Sequence, residues 1–285
     1  MKTLGVIGGS GLYDLPGIEG VERIRVSTPF GDPSDELVRG RLGEVGVVFL
    51  PRHGRGHRIL PSEINFRANL FALKTLGVEW LVSVGAVGSL RQEIAPGHVV
   101  VPDQFIDRTV ARPSTFFGRG IVVHVSLAEP VCAGLAQVLG DAAERAGGTV
   151  HRLGTYICME GPQFSTRAES ELYRQWRADV IGMTNWQEAK LAREAEMCFA
   201  SLALATDYDC WNAEAGHVVI EEVLRILGEN VELARRTVAG VASRLPARDC
   251  ACASALAQAI ITDRTLIPSE LKRDLAPLIG KYVGE

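Results

Sequence analysis

The sequence lacks an apolar run long enough to cross a bilayer. Its longest stretch without a charged residue is the 13 residues from Cys250 to Thr262, whereas a membrane-spanning helix needs about 20. The N-terminal MKTLGVIGGSG also lacks the apolar region and cleavage site of a signal peptide. We therefore expect a cytoplasmic location and no membrane partner.

An excess of positive charge is also missing, since the net charge is −4. The absence of a broad basic field argues against nucleic acid as a partner, although a few local cations could still hold a small anion.

The cysteines do not show zinc-ligand spacing. Six are scattered along the chain, and apart from the pair Cys250 and Cys252 none are close in sequence. We expect no metal and buried, reduced thiols, although the Cys-x-Cys pair could instead be redox-active or bridged to other thiols. His53 and His57 make a weak metal motif, because the glycines between them would break a helix that presents both rings on one face.

The composition is that of an ordinary globular protein, with 47% hydrophobic and 22% charged residues. Short apolar runs alternate with segments of helical periodicity. Strands are predicted at 4–7, 45–50, 80–84, 99–101, 180–181 and 201–205, and helices at 61–76, 131–146, 166–176, 187–197 and 220–243. This alternation predicts one α/β domain over residues 1–285, with a central mixed β-sheet flanked by helices. A tail of shorter helical pieces is expected to wrap the surface from about residue 245.

Ligands of open α/β sheets bind where strands end and helices begin, and a glycine turn follows the first predicted strand. Backbone amides of Gly8-Gly9-Ser10-Gly11 and the Ser10 hydroxyl could bind an anion. A plain tight turn explains the same residues. A dinucleotide motif is disfavoured, because Pro16 and Gly17 follow where a regular helix would have to begin.

A basic segment follows the predicted strand at 45–50. Arg52, His53, Arg55, His57 and Arg58 lie within seven residues. A planar guanidinium group can donate two parallel hydrogen bonds to phosphate oxygens, and a neighbouring histidine can donate a further hydrogen bond. The alternative is a solvated basic loop.

Thr184 and Gln187 follow the strand at 180–181 and match a capping box that opens the next helix. The free amides and positive dipole end of such a helix favour an anion. The alternative is that Thr184 is only a helix cap, and Met183 could simply belong to the core.

Two carboxylates, Asp207 and Asp209, follow the strand at 201–205. Beside apolar surface, such a pair should have shifted pKa values, so that one carboxyl stays protonated and donates a hydrogen bond. The alternative is an Asx-type turn with solvated carboxylates.

Six stretches, within a region from Leu4 to about Ala257, resemble the methylthioadenosine phosphorylases of the trimeric purine nucleoside phosphorylase family: GVIGGSGLYD, TPFGDPSDEL, PRHGRGHRILPSEINFRANLFALK, GSLRQEIAPGHVVVPDQFIDRT, EGPQFSTRAESELYR and ATDYDCW. The resemblance implies the nucleoside phosphorylase fold and a homotrimer or dimer of trimers. It also implies phosphorolysis of 5′-methylthioadenosine to adenine and 5-methylthioribose 1-phosphate, in methionine and purine salvage. Inorganic phosphate would be a co-substrate, with no cofactor.

The resemblance also implies roles for individual residues. These are Ser10, Arg52, His53, Ala86 and Thr184 for phosphate; Gly85 and Met183 for the sugar; Phe164, Ser165, Asp207 and Asp209 for the purine; Ile220, Val223 and Leu224 for the 5′ group; and His124, which reaches the 5′ pocket from a neighbouring subunit. Asp207 and Asp209 are the expected catalytic residues, with Asp207 donating a hydrogen bond to N7 of the leaving purine. Gly85 and Gly182 depart from the pattern, since larger polar residues are common there.

Three alternatives stay open at the level of the sequence. The first is a broader purine nucleoside or methylthioinosine phosphorylase, and the second is a non-catalytic nucleoside-binding protein on the same fold. The third is a hydrolase, which would release adenine without phosphate.

Overall fold

A mixed β-sheet forms the centre of the protein. The computed structural model describes residues 1–9, 11–12, 15, 17–212 and 220–284, without the side chains of residues 222 and 227. Within that part of the chain the sheet has eleven strands, β1–β11. They span Thr3–Gly8, Glu19–Ile24, Leu37–Leu42, Val45–Pro51, Trp80–Ser89, Val99–Val101, Gln104–Arg108, Val150–Arg152, Thr155–Met159, Val180–Gly182 and Cys198–Asp207.

Seven α-helices, α1–α7, flank the sheet in the described residues. They span Phe66–Thr75, Ala133–Arg145, Arg167–Gln175, Asn185–Glu194, Ile220–Ala242, Ser269–Asp274 and Ala276–Val283, and a 3-10 helix covers Ala251–Ser254. The predicted fold class, a single α/β domain with a mixed sheet, is confirmed. None of the helices described combines the length and the apolar character that a membrane span requires.

The strand β5 pairs with three other strands of the sheet. Its first residues pair in parallel with β1, most of its length pairs in parallel with β11, and its last residues pair with β10 in the antiparallel sense. On the far side of β1 lies β4, whose last residue Pro51 pairs with Gly8. Because these strands are parallel, the carboxyl ends of β1, β4, β5 and β11 lie at one edge of the sheet, where the predicted ligand-binding residues follow.

Thr206 interrupts the regular pairing of β11. Ala205 pairs with Val87 and Asp207 with Gly88, so one additional residue stands between them on β11. A bulge of this kind locally redirects the side chains that follow it. It therefore sets the direction of Asp207 at the edge of the sheet.

The C-terminal tail differs from the expectation that it wraps the surface. The predicted short helical pieces are present, but Leu256, Leu275 and Ile279 are fully or almost fully buried within the main apolar core. Several apolar side chains of the tail therefore complete the core.

Some boundaries also differ. The helix predicted from residue 61 begins at Phe66, where the Asn65 side chain accepts a hydrogen bond from the Ala68 amide at 3.1 Å. The strands β2, β3, β7, β8 and β9 were not predicted. The strand β2 has no buried residue, so it carries no apolar pattern by which to find it.

Candidate active site

A cavity of about 580 Å³ opens at the edge of the sheet where β1, β4, β5, β10 and β11 end. It is lined by many of the residues singled out in the sequence: Arg52, His53, Gly85, Ala86, Phe164, Met183, Thr184, Asp207, Asp209, Ile220 and Val223. The structure thus brings the basic segment, the start of α4 and the acidic pair to one shared space. That volume lies within the usual range for small-molecule sites.

Three predicted residues are absent from the described lining of the cavity, and a fourth is not described. Ser10 lies outside the described residues. Ser165 is half-buried and is not among the residues that line the cavity. Its hydroxyl oxygen lies 3.8 Å from the sulfur of Met159. Leu224 is 59% exposed and lies outside the described lining, whereas Ile220 and Val223 of the same helix line the cavity. His124 is also exposed and outside the lining, so its contact across a subunit boundary stays a prediction.

The acidic pair has a local geometry set by the end of β11. The Asp207 carboxylate accepts hydrogen bonds from the Thr206 hydroxyl and from the Asp209 amide, each at 2.8 Å. Asp209 adopts a left-handed backbone conformation with φ of 51°. The bond from the Asp209 amide is the Asx-type turn considered as an alternative, but these carboxylates are not freely solvated, since Asp209 is only 5% exposed.

Burial controls the protonation of this pair. It raises the pKa of Asp207, and the hydrogen bonds from Thr206 and Asp209 only partly oppose this. Burial also raises the pKa of Asp209, and the neighbouring Asp207 charge raises it further. Burial therefore makes both carboxyls easier to protonate than a free aspartic acid, which is the direction expected for a pair beside apolar surface.

Arg52 is held by a buried carboxylate that sequence analysis missed. Its guanidinium binds Glu188 through Nε–Oε1 at 2.5 Å and Nη2–Oε2 at 3.1 Å, while Nη2 donates to Ser83 Oγ at 2.7 Å and Nη1 to the Val84 carbonyl at 3.0 Å. Arg55 is likewise paired, with Asp35 and Glu36. The predicted positive patch is therefore largely neutralised, although His57 and Arg58 also line the cavity.

His53 is held in a defined protonation state. Burial, reinforced by the charge of Arg52, lowers its pKa to about 4. Its Nδ1 lies 2.8 Å from the Ile59 carbonyl oxygen, and because a carbonyl only accepts, the proton of the neutral ring is on Nδ1. Its Nε2 can then accept but not donate, which corrects the expectation that His53 donates to an anion.

Thr184 precedes the first residue of α4, as predicted, but the predicted capping box is wrong. The Thr184 side chain makes no capping hydrogen bond. The Gln187 side chain instead donates to Thr109 Oγ1 at 2.8 Å and accepts from Arg112 Nη1 at 3.1 Å. Thr184 therefore stands at the cavity with its hydroxyl uncommitted to the helix end.

Arg112 is a second residue that sequence analysis missed. Only 1% of its side chain is exposed. It donates to the carbonyl oxygen of Met183, which lines the cavity, and to that of Glu160, which stands in the chain between the lining residues Met159 and Pro162. A single buried arginine outside the cavity lining thus fixes both segments, and no local sequence pattern marks it.

Gly182, at the end of β10, permits close packing behind the cavity wall. An ideal Cβ at this position would stand 1.8 Å from the hydroxyl oxygen of Tyr156. Tyr156 is only 2% exposed, and burial raises the pKa of its hydroxyl. The departure from the larger residue common in the resembling family therefore has a steric cause in this chain.

The profile of the Phosphorylase superfamily matches residues 3–243. The S-methyl-5′-thioadenosine phosphorylase of Geobacter sulfurreducens is 57% identical over 284 residues, covering 99% of both chains. The crystal structure of a methylthioadenosine phosphorylase from an antarctic soil metagenomic library is 47% identical, with a TM-score of 0.89 and coverage of 97% of this chain and 98% of that one.

A third similar protein carries a ligand. A mutant of the adenosine/methylthioadenosine phosphorylase from Schistosoma mansoni in complex with methylthioadenosine is 38% identical, with a TM-score of 0.80 and coverage of 85% of this chain and 91% of that one. From these matches the chain belongs to the phosphorylase superfamily and, within it, to the family of the S-methyl-5′-thioadenosine phosphorylases.

Proposed function

We propose that this chain cleaves 5′-methylthioadenosine with inorganic phosphate and releases adenine and 5-methylthioribose 1-phosphate. The names of the similar proteins support this substrate. The observation that carries the proposal is the shared cavity, in which an anion-favouring helix start faces the same space as two carboxyls, the half-buried Asp207 and the buried Asp209. Phosphorolysis needs both, because a nucleophilic anion must attack the sugar while the leaving purine is stabilised.

Phosphate binds at the start of α4 in this proposal. Thr184 offers its hydroxyl, the helix N-terminus offers amides and a positive dipole end, and Arg52 contributes its remaining Nη1 proton. Since Glu188 neutralises most of the charge of Arg52, Arg58 and the helix dipole supply further compensation. Neutral His53 accepts, through Nε2, a hydrogen bond from a protonated phosphate oxygen.

The purine occupies the side of the cavity near the end of β11. Asp207, with its raised pKa, donates a hydrogen bond to N7 and so stabilises the negative charge that develops on the leaving base. Asp209 accepts from the exocyclic amine, which favours a 6-amino purine over a 6-oxo one. Ile220 and Val223 provide an apolar surface for the methylthio group at the 5′ end.

The proposal is tested by incubating the enzyme with methylthioadenosine, with and without phosphate, while adenine and the pentose 1-phosphate are measured. Both products should form only when phosphate is present. Adenine release without phosphate would identify a hydrolase, and binding without turnover would identify a nucleoside-binding protein. Equal turnover of methylthioinosine or adenosine would identify a broader phosphorylase.

The assembly and location are also proposals. We infer a homotrimer or a dimer of trimers in which His124 reaches the 5′ pocket of a neighbouring subunit, acting in the cytoplasm without a cofactor. A His124→Ala variant should then raise the KM for methylthioadenosine without changing the KM for phosphate, and light scattering would give the mass of the assembly.

A further inference from the structure

Four cysteines that are distant in the sequence meet away from the cavity. Cys132 precedes α2, Cys198 begins β11, and Cys250 and Cys252 belong to the segment of the 3-10 helix. Their four sulfur atoms all lie within 4.8 Å of one another. The sulfur of Cys250 is 3.4 Å from that of Cys198 and 3.8 Å from that of Cys132.

The two distances from the Cys250 sulfur are close to the edge of a tetrahedral metal site, and the other distances are no more than 4.8 Å. With zinc–sulfur bonds of about 2.3 Å, neighbouring sulfurs in a tetrahedral site stand about 3.8 Å apart. Three of the four cysteines are buried and Cys250 is half-buried, so the group is largely shielded from solvent. Four thiolates would fill all four positions, as in closed structural sites.

We propose that Cys132, Cys198, Cys250 and Cys252 bind one Zn²⁺ ion as a tetrathiolate. This departs from the expectation, based on sequence spacing, that the chain binds no metal. Binding forms four zinc–sulfur bonds and releases the four thiol protons to solvent, so no oxidant or reductant is needed.

The surroundings suit the charge of −2 that such a centre carries. The Arg193 guanidinium lies with Nη1 3.7 Å from the Cys252 sulfur. Cys132 caps the 13-residue helix α2, whose N-terminal dipole favours negative charge.

The position of the cluster indicates a structural role. Cys198 and Asp207 are the two ends of the ten-residue strand β11, so the cluster lies about 30 Å from the acidic pair. Cys132 and Cys198 belong to the α/β core, whereas Cys250 and Cys252 begin the C-terminal tail. The zinc ion therefore cross-links the C-terminal tail to the α/β core.

Zinc content of the purified full-length protein tests the proposal. Inductively coupled plasma mass spectrometry should find close to one zinc ion per chain, and a mercurial thiol reagent should release it. A Cys250→Ser variant should lose most of the zinc. The matched control is Cys158→Ser, which removes a buried cysteine outside the cluster and should keep the metal.

A measurement on the unmodified protein covers the case in which the variant does not fold. Replacing zinc with Co²⁺ should give the intense near-ultraviolet charge-transfer bands and the visible bands of a tetrahedral cobalt tetrathiolate. Absence of zinc from the protein, retention of zinc by a folded Cys250→Ser variant, or non-reducing peptide maps that show disulfides among these cysteines would each overturn the proposal.

Discussion

Glu188 lies against the guanidinium of Arg52 through two hydrogen bonds, of 2.5 and 3.1 Å, and both side chains are almost completely buried. The pair joins the end of β4 to the first turn of α4, which are 136 residues apart in the chain. The contact that stabilises the fold therefore also positions Arg52, a residue predicted to bind phosphate.

Removing the negative charge from this pair should destabilise the protein and make it respond to anions. In a Glu188→Gln variant the buried Arg52 loses its counter-charge, which costs about 3–5 kcal/mol when a buried pair is broken. Phosphate should raise the Tm of the variant more than that of the unmodified enzyme, since the anion replaces the missing charge. Thermal denaturation over a phosphate series measures both effects.

Glu144→Gln is the matched control for this experiment. Glu144 pairs with Arg152 at the surface, where both side chains are substantially exposed, and such pairs contribute only about 0–1 kcal/mol. If Glu188→Gln is as stable as Glu144→Gln, and phosphate raises its Tm no more than that of the control, then Glu188 does not balance a buried charge on Arg52.

Asp207→Ala should remove stabilisation of the leaving purine while leaving phosphate binding intact. Loss of a general acid lowers the rate by about 10²–10⁴-fold, so kcat/KM for methylthioadenosine should fall by that amount while the KM for phosphate stays unchanged. Steady-state kinetics with each substrate varied in turn measure this. Asp141→Asn, at a surface carboxylate, is the control, and near-normal turnover by Asp207→Ala would refute the assigned role.

The pH profile tests the protonation of the same carboxyl. Because burial raises the pKa of Asp207, its protonated form persists to higher pH than that of an ordinary aspartic acid. We expect kcat/KM to fall as pH rises through the raised pKa, and this alkaline limb should be missing from Asp207→Asn. An identical limb in the variant would assign it to another group.

Glu194 should make the protein less stable as pH rises. Burial raises its pKa from 4.5 to about 7, so between these values the folded protein keeps a proton that the unfolded chain has lost. Its contribution to the free energy of unfolding is complete below pH 4.5 and declines as pH rises through about 7, by about 3 kcal/mol in all.

A Glu194→Gln variant should lack most of that decline and should be the more stable protein above pH 7. Urea denaturation at pH 5 and pH 8 compares the two proteins. The exposed Glu171→Gln serves as control, and an unchanged pH dependence in Glu194→Gln would show that its carboxyl is ionised in the folded protein.

Val223 and Leu224 are adjacent on α5, but only Val223 belongs to the surface proposed to contact the 5′ group. Val223 lines the cavity, whereas Leu224 lies outside the described lining and is largely exposed. Val223→Thr adds a hydroxyl at nearly constant volume and should lower the preference for methylthioadenosine over adenosine by about 10-fold or more. Leu224→Thr should leave the ratio of the two kcat/KM values unchanged, and a larger effect at 224 than at 223 would reverse the assignment.

Sequence patterns predicted the parts of the site that depend on strand ends. Arg52, Thr184 and Asp207 each follow an apolar run, and parallel strands bring such positions to one edge of a sheet. The prediction of β5 stopped at residue 84 because glycine is uncommon in strands. The strand continues to Ser89, since its pairing with β11 and β10 outweighs that local preference.

Contacts between distant segments could not be predicted in the same way. Thr184 and Gln187 have the spacing of a capping box, but Thr109 and Arg112 bind the Gln187 side chain instead. Cys132 and Cys250 are 118 residues apart, so no local spacing indicates that their sulfur atoms meet. Such partners become evident only when the chain is folded.

The residues that position 182 can accept depend on the residue at position 156. The phenol oxygen occupies the space that any side chain at position 182 would need, so a mutation from glycine is blocked while the tyrosine remains. A lineage that acquires a polar residue at 182 must first, or at the same time, acquire a smaller residue at 156. Relatives should therefore divide into two groups by this pair of positions, with few sequences that combine a tyrosine at the first and a large residue at the second.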